Sequence, residues 1–336
     1  MDSAARESAA RAAAAETAGR WEEAARLYSL TFRTAVLGRD IAAAADALRG
    51  QARIRSQQLR FEEAAELAEL SREIAERQGL EQAAARALNV LGMVRLGQGD
   101  WDGAREIFPR ALELALDLGD DDLAGLACLN AGVIADVRGL PREARMLYLQ
   151  SIGSFVRSGN SHHAMLAYNN LGIVSGRLRE WMEAELFFAR GIEIGERLDN
   201  APHLAKLFCN RAEPLMHVGE LARADASLDR AETFAARDGD RDILPKIHRF
   251  RGALALVRSD PSEAEACFRR ALEAAEGNGA APERAEALRS LGELRLEQGR
   301  SGEGRRLLLS ARRVYRALGA AASVAAVSER LRGLPA

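Results

Sequence analysis

Residues 88–108 read LNVLGMVRLGQGDWDGAREIF, and they align without a gap on residues 128–148, CLNAGVIADVRGLPREARMLY. Residues 168–188, YNNLGIVSGRLREWMEAELFF, continue the series at the same spacing of 40. Extended in both directions, the frame gives eight copies from about residue 5 to residue 324. A column of small residues runs Ala12, Ala52, Gly92, Gly132, Gly172, Ala212, Gly252, Gly292. Twelve positions on, a second runs Ala24, Ala64, Ala104, Ala144, Ala184, Ala224, Ala264, Gly304. Four positions later stands a bulky column: Tyr28, Ala68, Phe108, Tyr148, Phe188, Leu228, Phe268, Leu308. Self-similarity at a fixed period of this length marks an array of stacked supersecondary units.

Each copy reads as two helices. In the fourth, Asp120-Asp121-Asp122 supplies a capping side chain and negative charge at a helix N-terminus. Apolar residues then recur at helical spacing until Gly139, and Pro141 opens the second helix, where its missing N–H costs nothing. That helix stops near Ser158-Gly159, and glycine recurs at the stop in Gly79, Gly119, Gly239, Gly279 and Gly319. A left-handed C-terminal cap asks for glycine there. Small columns let the two helices of a copy approach closely, and the bulky column fills the space beside that contact. One helix pair cannot bury its apolar stripe, but a stack of pairs can. Pro109 and Pro214 fall inside helices and are expected to bend them.

Composition agrees. Apolar residues make up 48% of 336 residues and charged residues 29%, which suits a folded, solvated chain. Aromatics are only 5%, poor material for strands. The net charge of −2 argues against a generally basic nucleic-acid binder. Of 47 basic residues only Lys206 and Lys246 are lysine, a bias that fits GC-rich bacterial coding. Cys128, Cys209 and Cys267 form no disulfide framework or C-x-x-C pair, so a reducing, cytoplasmic setting is expected. No secretory leader or membrane-spanning run is read.

The pattern resembles the tetratricopeptide repeat, carried by Leu91-Gly92, Gly99, Trp101, Ala104, Phe108 and Ala111 in the third copy and by Leu171-Gly172, Trp181, Ala184 and Phe188 in the fifth. The period is 40 rather than the usual 34, so it is most similar to the long-repeat subgroup of kinesin light chain, spindle-orientation adaptors and bacterial peptide-pheromone receptors. The expected fold is all-α, a right-handed superhelical α-solenoid of eight helix-turn-helix repeats. It would form a single domain over residues 1–336 with a capping helix at about 320–334, leaving no appended catalytic or DNA-binding domain.

A catalytic constellation is hard to find. His162-His163 lacks further ligands at zinc spacing, so no metal site is assigned. No nucleotide-binding or nucleophile-elbow motif stands in a strand context. The chain is expected to be non-enzymatic, without a cofactor.

The resemblance implies that the first helix of each pair lines an inner groove. Asn130, Asn170 and Asn210 share one position of that helix, and Asn89 and Asn169 lie one position earlier in their copies. A side-chain amide offers two donors and an acceptor, matching a peptide backbone, and in the resembled proteins such a ladder holds peptide. The same amides would equally well tie neighbouring helices together, and the sequence leaves both roles open. Arg49, Arg53, Arg86, Arg177, Lys206, Arg249 and Arg289 add basic groove candidates, and Met93, Leu129, Val133, Ile173 and Met216 apolar ones. The expected partner is a peptide or protein segment of acidic character, with neither nucleic acid nor membrane involved. The expected role is an interaction module or adaptor; the alternative is a peptide-sensing regulator whose superhelix changes conformation when a signal peptide binds.

Overall fold

The computed structural model describes residues 3–17 and 19–334. Among these residues there are seventeen α-helices and no strand. The first helices of the eight repeats are α1 (Ser3–Thr17), α3 (Ile41–Gln57), α5 (Glu81–Gly97), α7 (Asp121–Val137), α9 (Ser161–Arg177), α11 (Ala201–His217), α13 (Leu244–Val257) and α15 (Ala281–Glu297). The second helices are α2 (Trp21–Leu37), α4 (Phe61–Arg77), α6 (Trp101–Asp117), α8 (Pro141–Ser158), α10 (Trp181–Arg197), α12 (Leu221–Asp238), α14 (Pro261–Gly277) and α16 (Ser301–Ala317). A last helix, α17 (Ala321–Arg332), packs on α16 as a cap.

The turns share one design. Sixteen residues spaced by twenty, from Gly19 to Gly319, have positive φ; eleven are glycine. At the α6–α7 turn Gly119 takes φ 64°, while Asp120 N–H donates to the Ala115 carbonyl at 2.8 Å. Asp120 then caps α7 by accepting from the Leu123 N–H at 3.0 Å. The backbone thus repeats every twenty residues and the side chains every forty. Five turns use another residue in the same left-handed conformation: Arg39, Leu59, Arg179, Asp199 and Ser259. Such residues strain the chain by roughly 1–2 kcal/mol each. Helix α13 starts three residues later than the frame, which puts Pro245 in its first turn, where no N–H is needed. Helices α6 and α11 run without a break through Pro109 and Pro214.

The core is built on the small and bulky columns. A Cβ added to Gly92, Gly132 or Gly172 would stand 2.7, 2.6 or 2.7 Å from the ring of Phe108, Tyr148 or Phe188. The ring of the second helix therefore lies against a bare backbone of the first. In the second copy, with Ala52 and Ala68, the volume is made up by Val90, Leu91 and Val94 of the next repeat.

By its internal contacts the chain divides into two compact units, Met1–Ala167 and Tyr168–Ala336, the division falling inside α9. In the first unit α1 packs on α3, α3 on α5 and α5 on α7; in the second, α11 packs on α13 and α13 on α15. No pair of second helices packs comparably among the described residues. Alanines such as Ala84, Ala85, Ala87, Ala124 and Ala127, all buried, let first helices of adjacent repeats approach. Each unit consequently has an inner side made by first helices and an outer side made by second helices.

Candidate functional site

The inner side of the first unit holds a recess of ≈ 460 Å³ lined from α1, α3, α5, α7 and the start of α9. Its basic wall is Arg49, Arg53 and Arg86, and its apolar wall includes Met93, Leu126, Leu129 and Leu166. Between them lie Asn89 and Asn130. Because the recess draws on five successive first helices, it is a product of the repeat rather than of any local motif.

Asn130 Nδ2 donates to Asn89 Oδ1 across adjacent repeats at 3.3 Å. The second unit repeats the bridge two copies on, with the buried member reversed: Asn210 Nδ2 donates to Asn169 Oδ1 at 2.8 Å, and Asn169 Nδ2 donates to Asn170 Oδ1 at 3.3 Å. Asn89 and Asn210 are buried, whereas Asn130, Asn169 and Asn170 are half-buried. The row therefore divides. Asn89 and Asn210 are buried in inter-helix bonds, Asn130 donates into one from a half-buried position, and Asn170 takes no part in either.

The recess arginines mostly have partners within the chain. Arg53 grips Glu16 with Nε and Nη2, each at 2.7 Å, and Tyr28 Oη donates to the same carboxylate at 2.5 Å. Burial alone would raise the Glu16 carboxyl, but Arg53 outweighs it and holds the group below the ordinary carboxylate value. Burial and the Glu16 bond push the Tyr28 phenol up to about 12. Arg86 Nη2 donates to Asp120 at 3.0 Å, the carboxylate that also caps α7. Arg49 differs. Its Nη2 donates to Asp46 on its own helix at 2.8 Å, but its buried Nε–H has no partner among the described residues. Burial lowers its pKa, and the charges of Arg53 and Arg86 add to the effect against Asp46.

Of the sequence candidates in the second unit, Arg177 and Lys206 are exposed, and Ile173 and Met216 are half-buried. The Arg249 guanidinium lies 4.5 Å from the Phe250 ring centroid, and Arg289 is held by Glu286 at 2.7 Å. Lys246, not among the groove candidates read from the sequence, is close to Cys209; its burial lowers the amine, and burial pushes the Cys209 thiol up to about 11. Among the described residues no three His, Cys, Asp or Glu side chains are placed to hold a metal ion, and no helix is long and apolar enough to cross a membrane. Sequence reasoning missed Glu16, His163, Leu126 and Leu166 as lining residues. The repeat frame carried the signal for Leu126 and Leu166, which are 40 residues on from Arg86 and Leu126 respectively. Nothing in the frame marks Glu16, whose partner is 37 residues away.

No family model and no curated protein matches the chain. Solved structures do. The apo quorum sensor NprR from B. thuringiensis superposes with a TM-score of 0.67 at 14% identity, covering 87% of this chain and 88% of that one. A Rap protein complexed with competence and sporulation factor gives 0.60 at 15% identity, over 88% of this chain and 76% of that one. A signal-transduction ATPase of Pyrococcus horikoshii with a tetratricopeptide repeat sensor gives 0.63 at 15%, over 79% of this chain and 40% of that one. The fold is that of the tetratricopeptide-like repeat proteins. The tetratricopeptide-like array accounts for the paired helices and for the inner side made by first helices.

Proposed function

We propose that the chain is a non-enzymatic binding protein that holds a peptide or protein segment against its first helices. The observation that carries this reading is the pair of asparagine bridges, Asn89–Asn130 and Asn169–Asn210, each with a half-buried amide left at the inner surface. Amides at the repeat spacing match the donor and acceptor pattern of an extended backbone. The similar structures of a Rap protein with competence and sporulation factor and of the pLS20 Rap conjugation gene regulator with the Phr* peptide support a peptide as the partner class. Acidic side chains on the partner fit the recess arginines, since a partner carboxylate can exchange with Glu16 or Asp120.

The test is a pair of variants measured for melting and for capture of the native-cell partner. Asn170→Ala should leave melting nearly unchanged and weaken capture several-fold, at about 0.5–1.5 kcal/mol for the bond lost. Asn130→Ala should instead lower stability by about 1–3 kcal/mol, because it strands the buried Asn89 carbonyl. Full capture by the Asn170→Ala variant would remove the basis of the proposal.

A further inference from the structure

The second helices of the second and eighth repeats carry opposite charge at the same places. On α4 four positions of one face hold Glu66, Glu69, Glu73 and Glu76; on α16 the equivalent positions hold Arg306, Leu309, Arg313 and Arg316. Taken whole, α4 has six glutamates against two arginines, and α16 has five arginines against one glutamate. By contrast α12 interleaves both signs, with Arg223, Asp225, Asp229 and Arg230. Both faces are open. Helix α4 packs on α3 and α5, and α16 on α15 and α17, while Glu62, Glu66, Glu76, Arg306, Arg313 and Arg316 are exposed. Arg72 holds Glu69 and Glu76 within α4, but Glu62 and Glu66 make no ion pair among the described residues. Arg306, Arg313 and Arg316 make none either, because the one carboxylate of α16, Glu303, is taken by Arg295 and Arg300. Like charges one turn apart on a helix repel, and nothing in the eighth repeat relieves this row.

We propose that the α4 face of one copy of this chain docks on the α16 face of a second copy. The four positions are spaced three, four and three residues apart, a pattern that reads the same in both directions. Glutamate therefore meets arginine at three of the four positions whether the helices run parallel or antiparallel. Leu70 and Leu309, 45% and 36% exposed, add apolar contact beside the charges. A net charge of −2 leaves little general repulsion between copies. A nucleic acid would also be drawn to the arginines of α16, but the α4 face would repel it; a second copy satisfies both faces. The contact lies on second helices, apart from the proposed peptide surface, so the two proposals stand or fall separately.

Exposed ion pairs are individually weak and screened by salt, so the association is weak and steeply salt-dependent. Sedimentation equilibrium of the full chain at on the order of 0.1 mM should give a mean mass clearly above the 36.4 kDa monomer in about 0.1 M salt. In about 1 M salt, where the screening length has fallen from about 10 to 3 Å, the mass should return to the monomer. Two variants locate the faces: Glu62→Arg, Glu66→Arg and Glu76→Arg together, and Arg306→Glu, Arg313→Glu and Arg316→Glu together. Each alone should be monomeric in about 0.1 M salt, with circular dichroism confirming the fold. An equimolar mixture of the two should recover the mass of the unaltered chain, because each supplies the face that the other lacks. If either variant fails to fold, Glu66→Gln and Arg313→Gln should each weaken association by about 1.5- to 5-fold. A monomer in about 0.1 M salt, a raised mass that survives about 1 M salt, or a mixture that stays monomeric would each overturn the inference. A monomer that retards a fluorescent single-stranded DNA, with the shift lost in the α16 variant, would overturn it in favour of a nucleic-acid surface.

Discussion

Gly172→Ala puts one methyl group into the tightest contact of the fifth repeat. Its Cβ would stand 2.7 Å from Cε1 and Cζ of Phe188 and 2.9 Å from Cδ1. Comfortable carbon–carbon separations are about 3.5–4.0 Å, so the ring must retreat by nearly an ångström inside a close-packed interior. Overpacking of that kind costs about 1–3 kcal/mol. Alanine also improves the helix by about 1 kcal/mol over glycine, so the single variant should lose roughly 0–2 kcal/mol. Phe188→Leu makes room and by itself should cost on the order of 1–2 kcal/mol in lost packing. In the double variant the methyl fits and only the helix gain remains, giving a favourable coupling of about 1–3 kcal/mol. The chain already uses this combination at Ala212 and Leu228, both fully buried. Urea denaturation of all four proteins, followed by circular dichroism at constant m-value, measures the coupling. Additivity within about 0.5 kcal/mol would refute direct packing of the ring on residue 172.

Leu59, 74% exposed at φ 60°, occupies a turn position that eleven other turns give to glycine. Leu59→Gly should raise stability by up to about 1 kcal/mol, relief of strain less the entropy of glycine, and a lowered melting temperature would contradict that account of the turns. His163 stacks on Phe155 at 5.3 Å with its Nδ1 buried and unpaired among the described residues, and burial, with His162 nearby, lowers its pKa below 6.5. The unfolded chain therefore takes the proton first as pH falls, so this residue's stability is present above pH 6.5 and lost below it. His163→Phe should keep the stack and flatten the fall in melting temperature between neutral pH and about pH 5; an unchanged slope would exclude His163 as its source.

The fold was legible because its determinants are local and repeated. The columns that hold Gly172 and Phe188 sit sixteen positions apart in every copy, and the stops at Gly79, Gly119 and Gly159 follow from the αL requirement alone. Leu59 and Arg179 were not legible as turn residues, because the flanking helices fix the turn while these exposed side chains contribute nothing to it that their type would announce. The candidate surface was half legible. The repeat frame found Asn130, Asn170 and Arg86, but could not separate exposed from buried amides, since Asn210 shares the frame position of Asn130 and differs only in its surroundings. The Glu16–Tyr28–Arg53 cluster joins three helices with no shared period, so no column reveals it.

The central claim, that a peptide segment lies along the first helices, is tested most directly by placing a photo-crosslinking amino acid at single positions in the native cell. Met93 and Ile173 stand on first helices, and Leu149 and Leu186 are exposed on second helices. The account predicts that Met93 and Ile173 capture a peptide segment, identified by mass spectrometry, and that Leu149 and Leu186 do not. Capture confined to Leu149 and Leu186 would contradict it.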